Sequence, residues 1–167
     1  RRKLFITVAI DSPAAAGAGT QSKLIAKHYN LLYLDTGKIY RFIGLLRLMS
    51  KNKFSYNLLK KKIDKLKFSD LSNKNLLSDK VAISAAIIAQ DRKIRKLVHK
   101  FQQKWAFNPP RKFSGSILDG RDITSVQLKN AMFKFFITAS LKTRARRRFN
   151  EYKTLKKKIS MKDVLKS

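Results

Sequence analysis

Nine consecutive residues, Ser12, Pro13, Ala14, Ala15, Ala16, Gly17, Ala18, Gly19 and Thr20, point most directly to a chemistry. Positions 14 to 19 are all Ala or Gly. A phosphate group is held by successive backbone N–H groups converging on one hollow, with a helix N-terminus behind it. Only small side chains let the backbone come that close. The pattern for such a loop is G-x-x-x-x-G-K-[ST]. Here Ser12 stands at the first glycine, Gly17 at the second and Ala18 at the lysine, and Gly19-Thr20 closes the motif. The architecture is kept and the charged residue is absent. An ordinary strand–turn–helix with an Ala-rich turn would look the same, so this segment alone leaves both readings open.

Other residues suited to handling phosphate are scattered along the chain. Arg121 and Asp122 directly follow an apolar run, where open α/β sheets bind ligands at their C-terminal edge. An Arg–Asp pair stabilising a turn is the plainer alternative. Arg144 and Arg148 are one helical turn apart and share a face. By themselves they read as a solvated basic helix.

These residues need a scaffold, and the hydrophobic pattern supplies one. Residues 4–10 are apolar and β-branched and predict a buried parallel strand. Residues 21–29 carry Leu24, Ile25 and Tyr29 at helical spacing, with Asn30 as a helix C-terminal residue. A short second strand is expected over 30–34. Thr36 is expected to cap a helix starting near Gly37, with Ile39, Phe42, Ile43, Leu46 and Met49 on one stripe. Residues 51–75 are polar and Lys-rich. Helices are expected over 79–89 and 92–107, the second basic, with Ile94, Leu97, Val98, Phe101 and Trp105 on its apolar face and Asn108-Pro109-Pro110 stopping it. Strands are expected over 115–118, ending at Asp119, and over 132–138, followed by Ser140 capping a basic helix. Alternating strands and helices predict a parallel sheet with helices on both faces.

Four segments, DSPAAAGAGT, YLDTGKIYR, DGRDITS and FFITASLKTRARRR, occur in one order along residues 5–152. In order and spacing the chain resembles the bacterial cytidylate kinases of the nucleoside monophosphate kinase group. They show a loop like DGPAGSGKGT, then YLDTGAMYR, then GRDIGT, then a strand running into ASxxxRAxRR. The resemblance implies an α/β, three-layer, parallel-sheet P-loop nucleotide kinase fold. It implies one domain over residues 1–167, with a core at about 4–50 and 79–152 and a small acceptor-binding insertion at about 51–78.

It also implies transfer of the γ-phosphoryl group of ATP to CMP or dCMP, with Mg²⁺ bound to ATP. Residues 12–20 would wrap the ATP phosphates, and the Thr20 hydroxyl would sit near Mg²⁺. Arg41 would hold the acceptor phosphate with Thr36 assisting, Arg95 would contact the same phosphate, and Arg121 would grip phosphate. Asp122 would accept from the cytosine amino group, which uracil lacks. Asp119 would orient water on the metal, and Arg144 and Arg148 would begin the lid over ATP.

The chain departs from this pattern in four places. Ala18 replaces the lysine, Ser12 and Ala15 replace glycines, and Ala82 and Ala86 stand where serines are frequent. Finally, the chain stops at DVLKS, before further Asp and Arg residues and a last strand and helix, so a C-terminal part is expected to be missing and a sheet edge left unpaired. Losing the lysine costs orders of magnitude where it touches the transition state. Yet the loop stays small and regular and the acceptor motifs survive. An active kinase is therefore the expectation, with Lys23, Arg144 or Arg148 substituting. A nucleotide-binding pseudokinase is the alternative.

At 167 residues the chain is long enough for one domain with a real core. It has no cysteine, which excludes disulfides and thiolate metal sites. No apolar run approaches the roughly 18 residues of a membrane span, and the N-terminus does not read as a secretory signal. The lack of an initiator Met suggests a start inside a longer chain. The expectation is a cytoplasmic monomer. The net charge of +29 is extreme. It fits either a polyanion footprint or compositional drift, since Lys, Asn, Ile, Leu and Phe abound and Glu151 is the single glutamate. The basic residues are spread widely, with runs at 60–62, 146–148 and 156–158, and drift is preferred. A basic RNA-binding module is the rival of another class. It lacks an RNA-binding aromatic signature or a GXXG loop, so nucleic acid is not the expected partner.

Overall fold

Alternation along the central strands decides the layering. In the computed structural model, which describes residues 5–154 and 160–166, strand β1 (Ile6–Asp11) is parallel to β3 (Gly115–Gly120) on one side and to β4 (Phe133–Phe136) on the other. Strand β2 (Leu31–Asp35) flanks β3, also parallel, giving the order β2-β3-β1-β4. Successive side chains leave opposite faces of a strand, so β1, β2 and β3 each feed two cores. Val8, Ile10, Leu31 and Ile117 pack against Ala18 and Ala26 of helix α1 (Ala18–Tyr29). Ala9, Leu32, Leu34 and Leu118 pack on the other face, against α2 (Thr36–Ser50), α3 (Tyr56–Asp64) and α5 (Arg92–Phe107). The result is the expected three layers. Leu4, the expected first residue of the first strand, and the basic run at 156–158 lie outside the described residues.

Helix α1 begins at Ala18, three residues earlier than the apolar spacing indicates, because the small residues after the loop already turn helically. It ends as expected at Asn30, whose left-handed backbone (φ 52°) sends its N–H to the Ala26 carbonyl. Asn30 is thus spent on the cap, and β2 runs one residue further, through Asp35. Helix α5 has the bounds the sequence predicts, with Asp91 capping Lys93 and Ile94 at its start.

Three expectations need correction. Asp35, not Thr36, caps α2, since its carboxylate accepts from the Lys38 N–H (3.3 Å). Thr36 is the first helical residue, and its buried hydroxyl donates to the Asp119 carbonyl (2.9 Å). The apolar stripe of α2 is shorter than its spacing implies. Ile39 and Ile43 are fully buried, but Met49, in the last turn, is 74 % exposed because the helix end overruns the core. The strand expected over 132–138 is only Phe133–Phe136, and as the outer strand it leaves Phe133, Phe135 and Phe136 exposed.

The Lys-rich stretch after α2 is also less polar than it reads. It forms α3 and short 3₁₀ turns at Phe68–Ser72 and Lys74–Leu77, and Leu59, Ile63, Leu66 and Leu71 join the core beneath α5. Helix α4 (Asp79–Ile88) lies against α2, and the basic helix α6 (Leu141–Thr154) follows β4 with Ser140 as its cap, as expected (Thr143 N to Ser140 Oγ, 3.2 Å). A short α7 (Met161–Lys166) packs on α6.

Candidate active site

The C-terminal ends of the parallel strands open into a cleft of about 880 Å³. The loop after β1 forms one wall, and all nine residues from Ser12 to Thr20 line it. Ala15 (φ 58°) and Gly17 (φ 98°) take left-handed backbone there. A glycine suits such a φ, and an alanine in it is strained. The loop delivers the chain to the first turn of α1, whose leading N–H groups have no partner within the helix and carry its positive end. Ala18, at the lysine position, is buried, while Lys23, one turn further along α1, reaches the cleft.

The end of β3 forms the floor. Asp119 is buried between Tyr33, whose hydroxyl donates to its carboxylate (3.1 and 3.3 Å), and the carboxylate of Asp35 on β2. Burial, and then the charge of Asp35, push the Asp119 carboxyl up to about 6. Burial and the same two carboxylates also push the Tyr33 hydroxyl upwards. Two acidic groups held together beside a phosphate loop, with the Thr20 hydroxyl in the same cleft, are a hard oxygen donor set suited to Mg²⁺. Among the described residues no three His, Cys, Asp or Glu side chains gather as a metal cluster. An ion retaining waters and substrate phosphates needs no such cluster.

A further part of the lining comes from the turn after β3. Arg121 and Asp122 line the cleft, and Asp122 sits in left-handed backbone (φ 59°) before a single π-type turn, Ile123–Gln127. This turn is pinned by Asp11 at the end of β1. Its carboxylate accepts from the N–H groups of Ile123 (2.6 Å) and Thr124 (3.1 Å) and from the Thr124 hydroxyl. Arg95 of α5 approaches Asp122 at 3.8 Å with both side chains about half exposed, a pair worth little as a stabilising contact. Its proximity matters because it brings a cation and a carboxylate into one wall of the cleft.

The other expected site residues divide. Thr36 lines the cleft, although its hydroxyl is engaged with Asp119. Arg148 lines it too, bonded to Glu151 (3.0 Å) and Tyr152 (3.2 Å). Arg41 points elsewhere and donates to the Leu76 carbonyl (2.8 Å). Arg144 turns to the outer side of the loop and donates to the Ala14 carbonyl (2.8 Å). Five residues of the site carry no role in the sequence reading: Asp11, Tyr33, Asp35, Gln127 and Arg147. Asp11 reads there only as the end of a strand, and Tyr33 as one apolar position of β2. Gln127 sits in a π-type turn that no periodicity signals. Arg147 hides in a run of three arginines, but its spacing of three from Arg144 puts both on one face.

Residues 8–167 match the family model described as Cytidylate kinase. The chain is 38 % identical over 174 residues to a cytidylate kinase of Clostridium botulinum (strain Loch Maree / Type A3), an overlap of 98 % of this chain and 78 % of that protein. It is 37 % identical over 150 residues to a cytidylate kinase of Bradyrhizobium diazoefficiens, covering 87 % of this chain and 68 % of that one. Among solved structures, TT1252 from Thermus thermophilus superposes with a TM-score of 0.51 at 16 % identity, over 98 % of this chain and 78 % of that one, a likeness of fold.

Proposed function

The chain belongs to the cytidylate kinase family, and on that premise we propose that it moves the γ-phosphoryl group of ATP to CMP or dCMP, giving CDP or dCDP. One observation carries this reading. A single cleft is lined both by the loop Ser12–Thr20 and by Arg95, Arg121 and Asp122, so two anionic substrates can meet in it.

In that reaction an acceptor phosphate oxygen bonds to the γ-phosphorus, and the bond from that phosphorus to the bridging oxygen breaks, releasing ADP. The attacking oxygen is already anionic, so no strong base is required. The protein's task is to position the two phosphates and offset their repulsion. The loop N–H groups and the start of α1 hold the donor phosphates. Arg121 and Arg95, with planar forks suited to phosphate, hold the acceptor phosphate, with Thr36 beside them. Arg41 can join only by leaving the Leu76 carbonyl. Arg148 faces the donor side. Asp122 accepts from the cytosine amino group and repels the carbonyl of uracil. Thr20 and Asp119 are the side chains to hold Mg²⁺ and its waters, and the ion would supply charge neutralisation across the donor phosphates. Residues 51–78 are read as the acceptor-side insertion of a single domain.

A second reading has its own observation. With Ala18 in place of the lysine, the cleft would bind nucleotides as a pseudokinase. Lys23 in the same cleft argues for turnover. The test is ADP release from ATP and Mg²⁺ in the presence of CMP, dCMP, UMP or no acceptor. Turnover dependent on CMP or dCMP is expected. Nucleotide binding without turnover would leave the pseudokinase. Among the described residues no helix is long and apolar enough to cross a membrane. The cytoplasmic monomer remains our reading, and the +29 charge is read as compositional drift from which anionic nucleotides benefit incidentally, not as an RNA-binding footprint. A salt-dependent gel shift with unrelated RNA at micromolar protein would contradict the last point.

A further inference from the structure

The outer side of the phosphate loop is held by two arginines from α6. Arg144 Nε donates to the Ala14 carbonyl at 2.8 Å. Arg147 donates from one guanidinium nitrogen to the Ala16 carbonyl at 2.8 Å, with a longer contact of 3.4 Å to that of Ala15. That nitrogen lies 3.1 Å from where a Cβ on Gly17 would stand, so the guanidinium fills the space that the glycine leaves. The interactions span about 130 residues of sequence and tie a basic helix to a loop with no charge of its own.

The consequence follows from peptide geometry. In a trans peptide the C=O and the next N–H point in opposite directions. Where Arg144 captures the Ala14 carbonyl, the Ala15 N–H is directed away from α6. Where Arg147 captures the Ala16 carbonyl, the Gly17 N–H is directed the same way. Alanine and glycine side chains cannot set these orientations themselves; the backbone bond from the Ala16 N–H to the Pro13 carbonyl (3.4 Å) closes the turn but leaves the Ala14 and Ala16 carbonyls to the two arginines. The left-handed backbone at Ala15 is an unfavourable choice for alanine. It persists only when surrounding contacts impose it.

We propose that Arg144 and Arg147 are positioning residues of the phosphate loop. They orient its amide donors toward the donor phosphates and supply, from behind the loop, positive charge that position 18 no longer carries. This rests on the reading of residues 12–20 as a phosphate site. It adds that the site is assembled from two distant parts of the chain, and that Arg147 acts through the backbone instead of by touching substrate.

The test uses the full chain and inorganic tripolyphosphate as probe, with Arg146→Ala as the control of equal charge loss. Arg147→Ala should weaken tripolyphosphate binding and raise the KM for ATP by about tenfold or more, with the KM for CMP within about twofold of wild type. Arg147→Lys, which keeps charge and one donor, should recover part of the loss. In the unliganded protein, the amide resonances of Ala15 and Gly17 should shift in Arg147→Ala and stay put in Arg146→Ala. Equal effects of Arg146→Ala and Arg147→Ala on tripolyphosphate, or unmoved loop amides, would overturn the proposal. Wild-type protein that binds no tripolyphosphate would instead overturn the phosphate-site reading. The amide resonances would still decide whether the arginines hold the loop.

Discussion

In the proposed reaction Arg121 and Asp122 have different roles at adjacent positions, and each can be tested alone. Arg121→Ala removes a cation from the acceptor wall and leaves the loop untouched. The KM for CMP should rise about tenfold to a hundredfold, as for loss of a charged hydrogen bond, while the KM for ATP stays within about twofold. An unchanged KM for CMP in steady-state kinetics would remove Arg121 from the site. Asp122→Asn keeps the size and changes the donor–acceptor pattern, since an amide can also donate to the uracil carbonyl. The ratio of kcat/KM for CMP over UMP should fall about 5- to 150-fold, equivalent to about 1–3 kcal/mol, and equal ratios in both proteins would end the assignment.

Asp119 gives a pH signature. Its carboxyl sits at about 6 in the fold against 3.8 ordinarily, so between those values the folded protein keeps a proton that the unfolded chain has lost. The group therefore favours the fold at low pH, and that advantage disappears as pH rises through about 6. Relative to Asp119→Asn, wild-type unfolding free energy from urea titrations should decline between about pH 4 and pH 6.5, by on the order of 3 kcal/mol at most. Parallel pH profiles for the two proteins would contradict the burial argument.

At the level of elements, the contact between α2 and α4 is set by one glycine. A Cβ on Gly44 would lie 2.8 Å from the Ala85 nitrogen and 3.0 Å from the Val81 carbonyl oxygen, both backbone atoms that cannot swing aside. Ser84 seals the contact by donating to the Gly44 carbonyl (3.1 Å). Gly44→Ala gains up to about 1 kcal/mol of helix propensity but must push the two helices apart, at a cost of about 1–3 kcal/mol. The clash should win, lowering the urea midpoint with an unchanged m-value. A raised midpoint would show that α4 yields easily.

The same elements show what a sequence can state. Helix α5 is legible end to end because a strong apolar face and Pro109 mark it. Strand β4 is legible only as a strand. Its aromatic residues imply burial, yet its place at the sheet edge leaves Phe136 70 % exposed, and edge or centre is a property of topology. The stretch after α2 hides Leu59 and Ile63 among lysines, so its share of the core appears only when α3 packs. In the site, the loop and the Arg121–Asp122 turn announce themselves by spacing. Asp11, Tyr33 and Arg147 act through residues about 86 to 131 positions away, and no local pattern encodes such pairings.

For the whole molecule, the order β2-β3-β1-β4 brings the loop after β1 and the turn after β3 side by side, making one cleft from segments a hundred residues apart. Asp11 locks these two segments together, while Arg144 and Arg147 fasten the loop to α6. The central claim is that this assembly still transfers phosphate with alanine at position 18. The direct measurement is CMP-dependent ADP release by wild type and Ala18→Lys under identical saturating ATP and Mg²⁺. With Lys23 and Arg148 already in the cleft and Arg147 behind the loop, wild type should turn over, and the restored lysine should raise kcat by less than about tenfold, roughly 1.4 kcal/mol. A wild-type protein that binds both nucleotides but shows no turnover, and is rescued by this one substitution, would contradict the account and identify the natural chain as a pseudokinase.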